Sequence, residues 1–495
     1  MRRGRLPHRE RRARSRVVSA ALAAALVTVA AGARAEAPRS NRYSIDVFQG
    51  PLLAPSDVIG IAGAYAGHAE GIAGIVANAA SPAVREPHNV TWFSWDVSPS
   101  ISIPLNLFGS RDDFDNSGAA DHAYTDVLYG TIGALVQLGP FGFGASAEIQ
   151  RYVVDPADQK AASTDVVLGK YHALAAVRLL GDQLMIGGGV RLATLSLTPH
   201  GAERALTMIG VGPELGVLVR PDWRSFRVGA TFRFPVHGGE LIGDTTVRAD
   251  GVKTAGGLVL PRDVVLPWEL EIGAAVQVGP RPLNPQWIEP RAHEASLHAS
   301  FLLRRQERLG AHAIELAAIG DPVRRAAREK EIACEEAKRQ KQEDADERRI
   351  TRSLVADRLA RAENWPRQHL LLTVELLVTG AVSGGVSLAR FLGQNQATGD
   401  DSVVGTSGAT VSFSPRFGVE TEPLPGRMKT RAGSYYEPSR LGARVGRQHF
   451  TFGLDLRLFT TSLWGLVAPT TLKAQGYADF SPRYQSVSVG VGVWH

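Results

Sequence analysis

The chain has 495 residues, 52 of them glycine, with a mean hydropathy of −0.07 and a formal charge of +6. One cysteine, Cys334, excludes an internal disulfide framework and a cysteine-rich metal site. The positive excess would suit nucleic acid, but it gathers at the extreme N-terminus, so no nucleic-acid partner is read from it.

There, Arg2, Arg3, Arg5, Arg11, Arg12, Arg14 and Arg16 precede an apolar run from Val17 to about Ala31, and Ala33-Arg34-Ala35 follows. A charged region, an apolar core and small residues two apart make a secretory signal peptide, so residues 1–35 are expected to be cleaved after Ala35. The run is shorter than the roughly 20 residues a membrane helix needs.

Residues 36–88 are rich in glycine and alanine and poor in strand pattern. Gly60, Gly63 and Gly67 punctuate one stretch; Glu70, Asn78 and Pro82 follow. Small residues at this density let backbone pack on backbone. The segment reads either as a flexible leader or as a compact plug inside a barrel.

From 89 to 290 the chain alternates. Strands are expected near 91–105, 124–138, 141–153, 166–180 and 184–197. Ile209, Val211, Leu215, Val217 and Val219 then alternate with Gly210, Gly212, Glu214, Gly216 and Arg220. After a Pro221-Asp222-Trp223 turn, Phe226, Val228, Ala230, Phe232 and Phe234 alternate with Arg227, Gly229, Thr231 and Arg233. The clearest strand is Trp268 to Val278. Leu270, Ile272, Val276 and Val278 share one face, and Glu269, Glu271 and Gln277 share the other.

The pattern breaks between 291 and 364, where Ala, Leu, Glu, Arg and Lys dominate. Asp321 and Pro322 suit the cap and first turn of a second helix, so a helical hairpin is expected. Its second arm is densely and mixedly charged, which describes a solvated face better than a coiled-coil seam.

Alternation resumes from 365 to 495. Leu370, Leu372, Val374, Leu376 and Val378 oppose Thr373 and Glu375. Phe450, Phe452, Leu454 and Leu456 oppose Thr451, Gly453 and Asp455, and the last strand sets Val487, Val489, Val491 and Val493 against Ser486, Ser488, Gly490 and Gly492. Trp494 is penultimate and His495 last.

The tally is about fourteen strands: eight within 89–290 and six within 365–495. Apolar-out, polar-in alternation behind an export signal predicts an all-β transmembrane antiparallel barrel in the outer membrane, set in outer-membrane lipid. Both ends of the chain are then expected on the short-turn, periplasmic side, where the hairpin also emerges. Glu214, Arg220, Glu269, Glu271, Glu375, Glu420, Lys429, Asp455 and Arg457 share the luminal phase with Arg227, Arg233, Arg416 and Arg431. Most are expected to pair across strands. The four arginines other than Arg220 and Arg457 are the candidates to receive a ligand carboxylate. No H-E-x-x-H, C-x-x-C or phosphate-loop pattern occurs, so no enzyme, metal or cofactor is expected.

Three stretches resemble one family. They are the small-residue run around Gly60 to Gly67 with Asn78 and Pro82 behind it, the hairpin about Pro221, and Arg416-Phe-Gly-Val-Glu420 with Arg431-Ala-Gly-Ser-Tyr-Tyr-Glu-Pro-Ser439. The chain is similar in these to the FadL/TodX-type outer-membrane transporters of hydrophobic compounds. The family's motif sets Pro directly after Asn; here three residues stand between. The resemblance covers most of the mature chain, except the helical insertion. It implies a luminal plug (hatch) over 36–88, with Gly60, Gly63, Gly67, Glu70, Asn78 and Pro82 in it. It also implies passive uptake of a hydrophobic small molecule, a long-chain fatty acid or an aromatic hydrocarbon. The alternative is a non-transporting barrel that anchors or displays a partner through its hairpin, a periplasmic partner if the hairpin lies on that side.

Overall fold

The computed structural model describes residues 40–47, 51–85, 92–104, 116, 123–155, 163–200, 206–222, 224–238, 245–255, 258–285, 290–364, 366–392, 394, 406–441, 446–461, 470–482 and 484–494. The expected signal peptide, Trp223 and His495 lie outside them.

In chain order the elements begin with β1 (Ser44–Asp46) and a one-turn helix α1 (Ser56–Gly60). Seven long strands follow: β2 (Phe93–Pro104), β3 (Ala123–Leu138), β4 (Phe141–Asp155), β5 (Thr164–Leu179), β6 (Leu184–Pro199), β7 (Leu206–Val219) and β8 (Phe226–Arg233). Short strands come next: β9 (Val236–Gly238), β10 (Thr246–Val247), β11 (Lys253–Ala255), β12 (Leu258–Val259) and β13 (Asp263–Leu266). Then come β14 (Glu269–Val278), the long helices α2 (Pro290–Ala317) and α3 (Pro322–Glu363), β15 (Leu370–Thr379), β16 (Gly385–Ser387) and α4 (Leu388–Leu392). The chain closes with β17 (Ser412–Leu424), β18 (Met428–Glu437), β19 (Arg447–Thr461), β20 (Thr470–Ser481) and β21 (Tyr484–Val493).

Fourteen of these strands close a barrel in which β21 pairs with β2. Every wall pairing is antiparallel. This is the fold that the alternation predicts. A closed barrel leaves no unpaired backbone edge, which is what a strand needs in lipid. The two faces divide as the sequence period requires. On β14, Ile272 is 48% exposed and Val278 61%, whereas Glu271 and Gln277 are each 6% exposed. Ile132, Phe143, Ile186, Val211, Leu215, Phe413, Phe452 and Val489 continue the outward apolar band. Arg457 departs from the luminal set. It lies where the β19–β20 register slips, is exposed, and donates to the Gly426 carbonyl at the rim.

Short turns after β3, β5, β7 and β17 lie at one end; most of the longer connections lie at the other, as does the two-residue turn between β20 and β21. The α2–α3 hairpin joins β14 to β15 at the short-turn end. At 1.5 Å per residue, 28 and 42 residues make rods of about 42 and 63 Å. Asp321 accepts the Val323 N–H at 2.9 Å as the cap of α3. Ion pairs bind the arms, Arg308 to Glu343 at 2.7 Å and Arg328 to Glu315 at 2.7 Å. Among the described residues no helix is long and apolar enough to cross a membrane.

One expectation fails. The described N-terminal residues do not sit at the short-turn end. β1 is a parallel strand between β13 and β16 at the long-loop end, and β9 completes that four-stranded sheet. Parity places only the two ends of the wall, and the chain ahead of β2 is long enough to traverse the lumen. Ser44 donates to the Asp263 carboxylate, and His237 lies 3.0 Å from it. Burial would push that carboxyl up, but Ser44, His237 and Arg262 hold it below the usual carboxylate range.

Candidate functional site

From β1 the chain descends through the barrel, and residues 51–85 fill the lumen. This plug contains α1, a 3-10 turn at Ser81–Ala83 and otherwise irregular backbone. Turns pair many of the plug's own backbone groups, such as Ala62 N–H to the Ile59 carbonyl and Asn78 N–H to the Gly74 carbonyl, both at 2.8 Å, but not all; nearly all of the segment is buried, so the wall must pair the rest. Arginine suits the task because its guanidinium carries five donors in a fixed fork.

The wall answers with side chains aimed inward. Glu375 of β15 accepts the Tyr65 N–H at 3.0 Å and the Ala66 N–H at 2.7 Å. Its other oxygen binds Arg416 at 2.9 Å, and Arg416 in turn donates to the Gly63 carbonyl at 3.3 Å. Arg227 donates to the His68 carbonyl at 2.9 Å and pairs with Glu70 at 2.6 Å. Arg233 reaches the Val76 carbonyl at 2.5 Å and Glu271 at 3.1 Å. Arg431 pairs with Asp57 of α1 at 3.1 Å, with Glu420 at 2.6 Å and with Asp455 at 2.8 Å. Gln137 donates to the Pro82 and Val84 carbonyls at 2.9 and 2.8 Å. All four arginines named from the sequence are thus luminal, and each binds both the plug and at least one carboxylate.

The plug residues named from the sequence occupy its contact points. Asn78 is fully buried. Its amide nitrogen donates to the Ala66 and Val217 carbonyls, both at 3.0 Å, and its oxygen accepts the Ala80 N–H at 2.9 Å. Pro82 sits in the 3-10 turn that the three residues after Asn78 lead into. Gly63 has φ +75°, with Arg416 Nη1 2.8 Å from where a Cβ would stand. A Cβ at Gly60 would come within 3.1 Å of Arg431, and one at Gly67 within 2.7 Å of the Ala274 backbone. Wall glycines complete the fit, Gly229 and Gly187 among them. A Cβ at Gly229 would collide with the Ala66 carbonyl, and one at Gly187 with the Ala79 carbonyl.

Spaces remain around the plug. At the short-turn end a polar chamber is lined by His68, Glu70, Arg281, His369, Lys429 and Trp494 among others. On the long-loop side a second chamber has apolar sides from Val47, Leu52, Leu53, Ala54 and Leu266, and polar sides from the wall. Beside it lies a smaller cavity, almost wholly apolar, lined by Val47, Leu168, Leu195, Met208, Val236, Val264 and Leu266. It belongs to a larger apolar cluster that includes Ile45, Val166, Leu197, Leu206 and Tyr484. The apolar cavity and the apolar cluster around it thus lie on the long-loop side, next to a chamber walled largely by charge.

The polar side of the second chamber holds residues that the sequence reading leaves out. Glu148 of β4 and Lys170 of β5 line it and stand directly opposite each other in the sheet. Alternation gives each its luminal phase. Only the strand register puts them together, and no spacing rule supplies that.

No family model matches the chain, and no curated protein does either. Solved structures do. CymD, a monoaromatic hydrocarbon channel, is similar over 89% of this chain and 96% of its own, at 10% identity and a TM-score of 0.45. A FadL homologue of Pseudomonas aeruginosa is similar over 90% and 98%, at 11% identity and a TM-score of 0.44. The toluene transporter TodX of Pseudomonas putida is similar over 91% and 99%, at 10% identity and a TM-score of 0.45.

Proposed function

We propose that this chain carries hydrophobic small molecules passively across the outer membrane. The carrying observation is the pairing of an apolar luminal region with a plug that fills the barrel. An open, water-filled pore offers an apolar solute nothing, whereas the apolar cavity removes it from water at about 25 cal/mol per Å² buried. The plug meanwhile denies a free path to ions. The long-loop end faces outward and the short-turn end the periplasm, because outer-membrane barrels keep their short turns inside. Solute then meets the apolar cluster first and the polar short-turn chamber last, after a signal peptide has directed export and been removed. Residues 51–85 act as the hatch, and residues 291–364 are an insertion on the periplasmic side.

The test is uptake into liposomes. Protein reconstituted with a radiolabelled alkylbenzene or long-chain carboxylate outside should speed its appearance inside, while ion conductance stays low. Equal rates with and without protein would reject the reading.

A second reading rests on the hairpin. Ile332 is its one well-buried large apolar side chain among the described residues, and α2 leaves Leu303 and Ile314 exposed. Two rods so weakly committed to each other present surface to a periplasmic partner. Deleting residues 291–364 separates the readings: uptake persists if the hairpin only recruits.

A further inference from the structure

The charges lining the long-loop-side chamber are matched with two exceptions. His172 lies 2.9 Å from Glu214, Arg233 3.1 Å from Glu271 and Arg416 2.9 Å from Glu375. Arg191 binds Glu269, and Glu437 is held by Arg447 and His449. Glu148 and Lys170 line the same chamber, yet neither has a hydrogen bond or an ion pair within 4 Å through its side chain among the described residues. They are direct cross-strand neighbours, and such neighbours ordinarily join. Glu148 is only 8% exposed. An ammonium and a carboxylate held open in a confined wall are a standing demand for an acceptor and a donor.

The apolar cavity begins beside this pair. Leu168 is two residues from Lys170 on the same face of β5, and it lines that cavity. Val47 and Leu266 line both spaces, so the two are adjacent. Polar groups of both kinds thus stand beside apolar surface.

Resting on the uptake reading, we infer that this is a binding site for an amphiphile whose head carries both an anion and a hydrogen-bond donor. N-acyl amino acids are that chemical class. The carboxylate of the ligand meets the Lys170 ammonium, the amide N–H donates to Glu148, and the acyl chain lies along the chamber's own apolar side of Val47, Leu52, Leu53 and Leu266; the adjacent cavity, of about 20 Å³, takes no more than the chain's end. A plain fatty acid satisfies only Lys170, and a hydrocarbon satisfies neither.

The full chain in lipid nanodiscs is titrated with four probes: N-decanoylglycine, N-decanoylsarcosine (which lacks the N–H), decanoic acid and butylbenzene. A hydrogen bond to a charged group is worth about tenfold or more in affinity. N-decanoylglycine should therefore bind about tenfold tighter than N-decanoylsarcosine or decanoic acid. Glu148→Met should bring the glycine-to-sarcosine ratio to about one. Lys170→Met should weaken all three carboxylates about tenfold relative to butylbenzene. Equal binding of the glycine and sarcosine probes to the unaltered protein overturns the inference, and needs no variant to fold. If butylbenzene or decanoate still binds in that case, the uptake reading stands. If no probe binds, both readings fall.

Discussion

Glu375 accepts two backbone N–H groups of the plug, so truncating it should open the barrel. In Glu375→Ala the Ala66 N–H loses its acceptor, the Tyr65 N–H keeps only the Gly63 carbonyl at 2.8 Å, and Arg416 loses its 2.9 Å partner. The guanidinium keeps Glu271 only at 3.8 Å. Hydrogen bonds to charged groups contribute about 1.5–3 kcal/mol each, and breaking a buried pair costs about 3–5 kcal/mol. Water entering the lumen offsets part of this, so about 3–5 kcal/mol of plug attachment should be lost in all. At 1.4 kcal/mol per tenfold, the ratio of conducting to closed barrels rises roughly a hundredfold to several thousandfold. Glu375→Gln keeps an acceptor but loses its charge, and should rise roughly tenfold. Single-channel recording in planar bilayers measures the fraction of time spent conducting. Heat-modifiable migration on gels confirms that each barrel is assembled. An assembled Glu375→Ala barrel as closed as the parent would refute the claim that this carboxylate holds the plug.

Three further outcomes are expected. Ile272→Arg places a charge on the lipid face and should cost about 2–4 kcal/mol in urea titrations of refolding into liposomes, with Glu271→Gln milder; equal effects would invert the assigned faces. Gly229→Leu drives a side chain into the Ala66 carbonyl and should either cost about 1–3 kcal/mol or expel the plug and raise conductance, whereas wild-type stability and closure together would refute the fit. Cys334 is exposed on α3, so a membrane-impermeant maleimide should label it only after the outer membrane is permeabilised; labelling of intact cells would reverse the orientation.

What the sequence discloses follows range of interaction. Ile272 and Glu271 declare their faces because alternation is local, and the same rule marks Arg227, Arg233, Arg416 and Arg431 as luminal. It cannot say what they touch. Arg431 meets Asp57, and Arg416 meets Gly63, across separations of more than 350 residues, and an irregular plug has no period from which to project such a pairing. β1 is hidden for a similar reason. Three residues joined to Asp263–Leu266 and Gly385–Ser387 carry too little pattern to announce a parallel strand. Glu148 and Lys170 lie between these cases, each legible in phase and illegible as a pair. Asp321, whose cap is a matter of two residues, needs no distant information at all.

The placement of β1 has a consequence for how the molecule is made. Residues 44–46 are at one mouth of the cylinder and Phe93 begins the wall at the other, so the polypeptide is threaded through its own barrel. A finished cylinder would have to be re-entered by some fifty residues to reach that state. It is simpler for the sheet to curl around the segment while still open. The last seam to zip is then β2 with β21, which is joined through only five residue pairs, Ser100–Gly490 to Pro104–Ser486. On that route the plug acts as the mandrel on which the cylinder is wound, and Gly187 and Gly229 are the grooves that let the wall settle against it.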